Sequence, residues 1–345
     1  MFFNHTYNTI TYENCVSLGW FCGTASSMAL HGFRACSGPF DWFFSDLPSV
    51  LKIIEKNFED FMIKENLVVS PNKPHEFTDR KYGFRCPHDI KNNLTQDYSR
   101  IYEKYHRRAS NFMNKITLPT CFIRAVRNEE EITYIRENID YIYSVIRRAN
   151  SKNQIIFLLL ENMNSLPHNL LSFRLNINTY ATKTYEMLTM FDSSPDFLNW
   201  CKSNIKYSPS YINAKILNDY KASYIFHKIE QNDNRIVTIL NDCYFDINPR
   251  LYLWGAGFTC SFILEYLNNH QIKVNSIIDN DVSKHGMFLN GLPIISFSEI
   301  TDQNINILIT TISGTDNIIN QIKKICPAAV ILTLVDLYNI LFPSE

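Results

Sequence analysis

With 345 residues, 46% of them hydrophobic and 14% aromatic, the chain is long and apolar enough for two or three packed domains, which argues against disorder. Its 33 Lys and Arg residues nearly balance its 34 Asp and Glu, and a net charge of −1 offers no basic field for nucleic acid or an anionic membrane. No apolar run reaches the ~20 residues that span a bilayer, no secretory signal is visible at the start, and nine irregularly spaced cysteines form neither a C-x-x-C pair nor a zinc pattern. The expectation is a reduced, cytoplasmic α/β protein.

In chain order, residues 1 to 16 read as a short strand, with Cys15-Val16 leading into a turn at Ser17-Leu18-Gly19 and then a helix over Gly23 to His31. Gly32 suits the left-handed position after a helix end. Cys22 then stands at a helix N-terminus, where unpaired N–H groups and the helix dipole favour thiolate over thiol. The N–H groups of Cys22 and Gly23 would also suit an oxyanion. The competing reading of Cys22 is a small buried hydrophobe.

Gly38-Pro39 turns the chain into Phe40-Asp41-Trp42-Phe43-Phe44. Leu47 to Glu55 reads as a helix with Asp46 as N-cap and Pro48 in its first turn. Phe58 to Ile63 is assigned to the core around the nucleophile helix, and Val68 to Tyr82, with Pro71 and Pro74, to a loop. His88 follows this irregular segment. Leu94 to Asn114 has near-helical spacing in Tyr98, Ile101, Tyr102, Tyr105 and Phe112.

From Thr117 a strand (Leu118 to Val126), a long helix (Glu129 to Ala149) and a buried strand (Gln154 to Leu160) make a βαβ unit, which implies a parallel sheet. Phe173 to Thr179 reads as another strand, Pro195 to Ser203 as a helix capped by Ser194, and Ser208 to Lys228 as a helix closing the first domain. The boundary is placed near Asn248, giving domains 1–248 and 249–345.

The second domain opens on the strand Leu251 to Trp254. Gly255-Ala256-Gly257 is a tight turn before a helix over Cys260 to Leu267, and Val274 to Ile278 ends in Asp279. Such a turn brings N–H groups to a phosphate, and an acid about 20 residues on meets a ribose hydroxyl. Gly255, Gly257 and Asp279 are therefore candidates to hold a nucleotide or nucleotide-sugar, although Cys260 stands where the third glycine of that pattern belongs. A turn that binds nothing is the competing reading. Strands over Ile305 to Thr311 and Val330 to Leu334 continue the alternation.

Several blocks in order, Ser17-Leu18-Gly19, Cys22, Gly32-Phe33-Arg34, Pro39-Phe40-Asp41-Trp42, Phe84 to Asp89, Tyr102 to Arg108 and Phe122-Ile123-Arg124, resemble a bacterial family of uncharacterised proteins classed with papain-like cysteine peptidases. The resemblance covers roughly the first two thirds of the chain; Gly38 departs from it where a larger residue is expected. It implies an α+β papain-like N-terminal domain, with Cys22 as nucleophile and His88 as base. Asp41 is preferred as the group orienting the base, with Asp89 as its rival. His31 lies too far along the helix to face Cys22. Arg34 and Arg124 are candidates for an anion clamp or for structural ion pairs, and Cys15, Cys36 and Cys86 for packing.

The C-terminal part resembles the small Rossmann-like domains attached to bacterial surface-polysaccharide enzymes. Together the two resemblances imply acyl transfer from acyl-coenzyme A to a small-molecule or carbohydrate acceptor, in association with polysaccharide-assembly enzymes. A papain-like peptidase or amidase is the hydrolytic alternative, and a non-catalytic binding module on the same scaffold the third.

Overall fold

A computed structural model describes residues 11–87, 89–180, 183–242 and 250–343. Its contacts divide the chain into two compact units, before and after Asn213.

The first unit begins with β1 (Asn14–Ser17), α1 (Cys22–Leu30) and α2 (Leu47–Glu55). It continues through β2 (Leu67–Ser70), β3 (Lys73–Asp79), β4 (Arg85–Cys86) and α3 (Leu94–Lys115). After these come β5 (Thr120–Ala125), α4 (Glu129–Glu137), α5 (Ile139–Arg147), β6 (Gln154–Leu159), β7 (Ser172–Arg174), α6 (Thr184–Leu188) and α7 (Pro195–Asn204). Strands β1, β5, β6 and β7 form a parallel sheet in that order. Every residue of β5 is buried, as a strand covered on both faces requires. Alternate residues divide between two cores. Phe122, Ile155 and Phe157 meet α2, α3 and α5 on one face; Cys121, Ile123, Ile156 and Leu158 meet Met28 of α1 and Phe197 of α7 on the other.

Local chemistry sets several boundaries. Asp46 caps α2, its Oδ1 accepting the Ser49 N–H at 2.7 Å. Elsewhere the fold differs from the sequence reading. Phe58, Phe61 and Met62 pack with Phe40 and Phe43 in the first core, across the sheet from the nucleophile helix rather than around it. Residues 68–82 are not a loop: β2, β3 and β4 form an antiparallel sheet. Pro74 lies where the register shifts after Val69, so no ladder bond is asked of it. The helix expected over Glu129 to Ala149 breaks at Asn138, whose backbone (φ −122°, ψ 22°) leaves the helical region.

The second unit contains α8 (Ala214–Glu230), α9 (Arg235–Leu240), β8 (Leu251–Trp254), α10 (Phe258–Asn269), β9 (Val274–Ile278), β10 (Phe288–Leu289), β11 (Leu292–Ile295), β12 (Asn306–Ile309), α11 (Thr315–Ile325), β13 (Val330–Thr333) and α12 (Leu334–Leu341). The sheet order is β10-β11-β9-β8-β12-β13, parallel except for the edge strand β10. This is a doubly wound sheet whose order reverses between β8 and β12. The division falls ahead of the boundary read near Asn248, because Ala222, Ile225 and Ile229 of α8 share a core with Leu253, Leu264 and Leu337.

Candidate active site

The chain leaves β1 through two consecutive left-handed residues, Gly19 (φ +81°) and Trp20 (φ +75°). Gly19 is required: a Cβ there would lie 2.8 Å from Ser45 Oγ and 3.0 Å from the Phe40 carbonyl. Trp20 has no such freedom, so its conformation is strained, a feature that collects at functional sites. The turn is held from below. Buried Arg124 donates from Nη1 to the Leu18 carbonyl at 2.9 Å and from Nη2 to the Ser45 carbonyl at 2.8 Å. It also binds Glu131 through Nε and Nη2 at 2.7 and 2.8 Å. Cys22 follows as the first residue of α1. It stands at the carboxyl end of a parallel sheet, where open α/β folds place their sites. Phe21, the N-cap, supplies no capping side chain.

Position alone does not ionise this thiol. Cys22 is partly exposed, and its Sγ lies 3.3 Å from Met187 Sδ. Burial pushes the thiol above its ordinary value, and the opposing pull of the backbone N–H is weaker. The expected preference for thiolate is therefore opposed by burial, which outweighs the pull of the backbone N–H. The assigned base, His88, lies outside the described residues. Among the described histidines, His31 is engaged by Asp192 Oδ1 at 2.9 Å and the Ser27 carbonyl at 2.8 Å, and His106 by the Phe61 carbonyl at 3.1 Å.

Both candidate orienting acids have partners of their own. Asp41 is buried, and its Oδ2 accepts from Arg34 Nη1 at 2.7 Å and the Gly38 N–H at 2.6 Å. It ties together the loop from Arg34 to Asp41. Burial raises its pKa, with Arg34 opposing. Asp89 accepts from Lys104 Nζ, the Tyr105 hydroxyl and Cys86 Sγ. Burial alone would raise its pKa, but the Lys104 and Tyr105 bonds more than reverse this and hold it low. Arg34 and Arg124 are thus structural ion pairs, and neither is free to clamp a substrate. Cys15 and Cys86 are buried as expected; Cys36 is exposed, with Sγ 3.0 Å from Lys115 Nζ.

Sequence reasoning passed over the aromatic wall beside Cys22. Trp20 packs edge-on against Phe44 with centroids 5.8 Å apart, and Tyr180 lies 4.9 Å from Phe21. Phe44 and Arg85 exchange backbone hydrogen bonds at 2.9 Å, and the Arg85 guanidinium covers the Phe44 ring. Arg127 lies over Trp20 at 5.4 Å. A tryptophan two residues before the candidate cysteine was the available signal.

In the second unit, Asp279 is already engaged by groups of this chain. Its Oδ2 accepts the Ala256 N–H at 2.7 Å and Lys284 Nζ at 3.0 Å, while Oδ1 accepts the Asp281 N–H at 2.8 Å. The Gly257 N–H turns back to the Gly255 carbonyl at 2.9 Å. The acid therefore closes the glycine turn from within. Cys260, in place of a third glycine, is buried in the core. Beside the turn, where the strand order reverses, a cleft of about 1010 Å³ is lined by Gly255, Gly257, Asp279, Thr310, Gly314 and Thr315 among others. Gly257 and Gly314 are the N-caps of α10 and α11, and neither helix has a side-chain cap. No group of three metal-ligating side chains occurs among the described residues.

Residues 13–164 match the model of a family described as "Putative papain-like cysteine peptidase", and residues 247–329 match one described as "C2185-like, N-terminal". The first match runs from the start of β1 past the end of β6 and so includes Cys22, Asp41, Arg124 and Arg127. No curated protein and no solved structure matches the chain. No described helix is long and apolar enough to cross a membrane.

Proposed function

We propose that the first unit is a cysteine-dependent hydrolase, a peptidase or amidase, that forms an acyl-enzyme on Cys22 with His88 as base. The placement of Cys22 carries this reading. It is first in α1, partly exposed, and follows a strained turn at the carboxyl end of a parallel sheet. The match over residues 13–164 supports the class. The base takes the thiol proton, Sγ attacks the substrate carbonyl, and N–H groups at Cys22 and Gly23 receive the oxyanion. The leaving amine takes up the proton, and water then releases the acid. Because burial opposes ionisation of the thiol, the reaction draws on the base.

A second reading is favoured by the cleft at the switch point of the second sheet. There a nucleotide or nucleotide-sugar would sit, and the acyl group on Cys22 would pass from acyl-coenzyme A to a sugar hydroxyl in surface-polysaccharide assembly. Intact-mass spectrometry separates the two. A peptidyl acyloxymethyl ketone is expected to add once to the native protein and not to Cys22→Ala, and peptide amides are expected to turn over without any acyl donor. An adduct from acyl-coenzyme A alone favours transfer. No label and no amide turnover on the native protein defeats the hydrolase reading.

A further inference from the structure

Four arginines of the first unit are matched to carboxylates: Arg34 to Asp41, Arg85 to Glu76, Arg100 to Asp97 and Arg124 to Glu131. Arg127 is not. It is exposed, two residues past the end of β5, and among the described residues it meets the face of Trp20. The Trp20 indole Nε1 is buried and has no hydrogen-bond partner. Guanidinium and indole are both donors with no acceptor of their own. A buried donor left unpaired costs stability that an arriving acceptor restores, and a guanidinium stacked on an aromatic ring keeps its edge for a planar anion.

Resting on the Cys22 reading, we infer that Arg127 and Trp20 recognise a carboxylate on the substrate, so that the site acts on acidic acyl compounds, such as peptides with an Asp or Glu beside the cleaved bond. Arg34 and Arg124 are held inside ion pairs and cannot do this. The other cation near the wall, Arg85, is balanced by Glu76, with Nη1 3.2 Å from Oε2. Arg127 is the cation that lies over Trp20 with no carboxylate partner among the described residues.

Two reagents of like size, one anionic and one neutral, test this. Iodoacetate and iodoacetamide both alkylate thiols, and the modified Cys22 peptide reports both rates by mass spectrometry. The reference is the same peptide in the urea-unfolded chain, where Ser17 to Thr24 carries no charge. In the native protein the iodoacetate-to-iodoacetamide ratio is expected to exceed the reference. It should fall roughly threefold in Arg127→Gln, and added salt should erase the same preference. Trp20→Phe, which keeps a ring under Arg127 but removes Nε1, should lower the ratio as well. Arg127 is exposed, so its variant should melt like the native protein. A native ratio equal to the reference, or one unchanged in Arg127→Gln, overturns the inference and leaves Cys22 as nucleophile intact. A Cys22 that neither reagent reaches defeats the nucleophile reading, and this inference with it.

Discussion

Arg124 Nη1 donates to the Leu18 carbonyl oxygen at 2.9 Å from a side chain that solvent does not reach. This bond joins the central strand of the first sheet to the turn that presents Cys22. The same guanidinium grips the Ser45 carbonyl, and the Ser45 hydroxyl accepts the Trp20 N–H at 3.3 Å. One buried cation thus holds both sides of the turn, and Glu131 balances its charge.

Removing one partner of a buried pair leaves an uncompensated charge. Glu131→Gln is expected to cost about 3–5 kcal/mol in urea unfolding of the first unit. The double variant Arg124→Met with Glu131→Leu should cost less than the single one. Equal stability of Glu131→Gln and the native protein would show that the pair is not needed.

Gly19→Ala tests the turn itself. A left-handed alanine costs about 1–2 kcal/mol, and at Gly19 the new methyl also meets Ser45 Oγ and the Phe40 carbonyl. Gly83 has a similar φ (+72°), and nothing lies within 4 Å of where its Cβ would stand. Thermal melts should therefore rank Gly19→Ala clearly below Gly83→Ala; matching melting temperatures would remove the steric argument.

Burial raises the Cys22 pKa, against the weaker opposing pull of the backbone N–H. The Cys22 alkylation rate should climb with pH and inflect above the ordinary thiol value of about 8.5. Met187→Ala opens the space beside Sγ and should move that inflection down. Under the proposed mechanism His88→Ala should lower turnover by about 10²- to 10⁴-fold. An inflection well below 8 in the native protein would contradict the dominance of burial.

The Asp89 carboxyl is held below its ordinary value by Lys104 and Tyr105 against the opposing effect of burial. A depressed folded pKa stabilises above the unfolded value of about 3.9 and is lost as pH falls through the folded value. The stability gap between the native protein and Asp89→Asn should thus be constant from about pH 5 upward and close in acid. A gap independent of pH down to the folded value would refute the assignment.

Much of the local architecture was readable from the chain. Asp46-Leu47-Pro48 marks the start of α2 because a cap and a first-turn proline act within four residues. The helix read over Leu94 to Asn114, one residue short of α3, and the buried strands β6 and β8 follow from periodicity and apolar runs. The hairpin β2–β3 was hidden because its exposed face is polar and its proline sits in a register shift. The allegiance of α8 was hidden too, since an apolar helix next to a boundary fits either neighbour until the sheets are built. The roles of Arg34, Arg124, Asp41 and Asp279 were open for a related reason. A charged side chain in a motif does not announce its partner.

The chain by itself determined that a cysteine opens a helix after a glycine turn, and that two α/β units follow one another, because caps, turns and periodicity act over a few residues. Only the tertiary structure decided what surrounds that cysteine. Met187 reaches Sγ from 165 residues away, Glu131 neutralises Arg124, Asp279 fills the glycine turn, and Arg127 is left without a counter-charge. Proton affinity and charge balance are sums over neighbours in space, and folding chooses those neighbours.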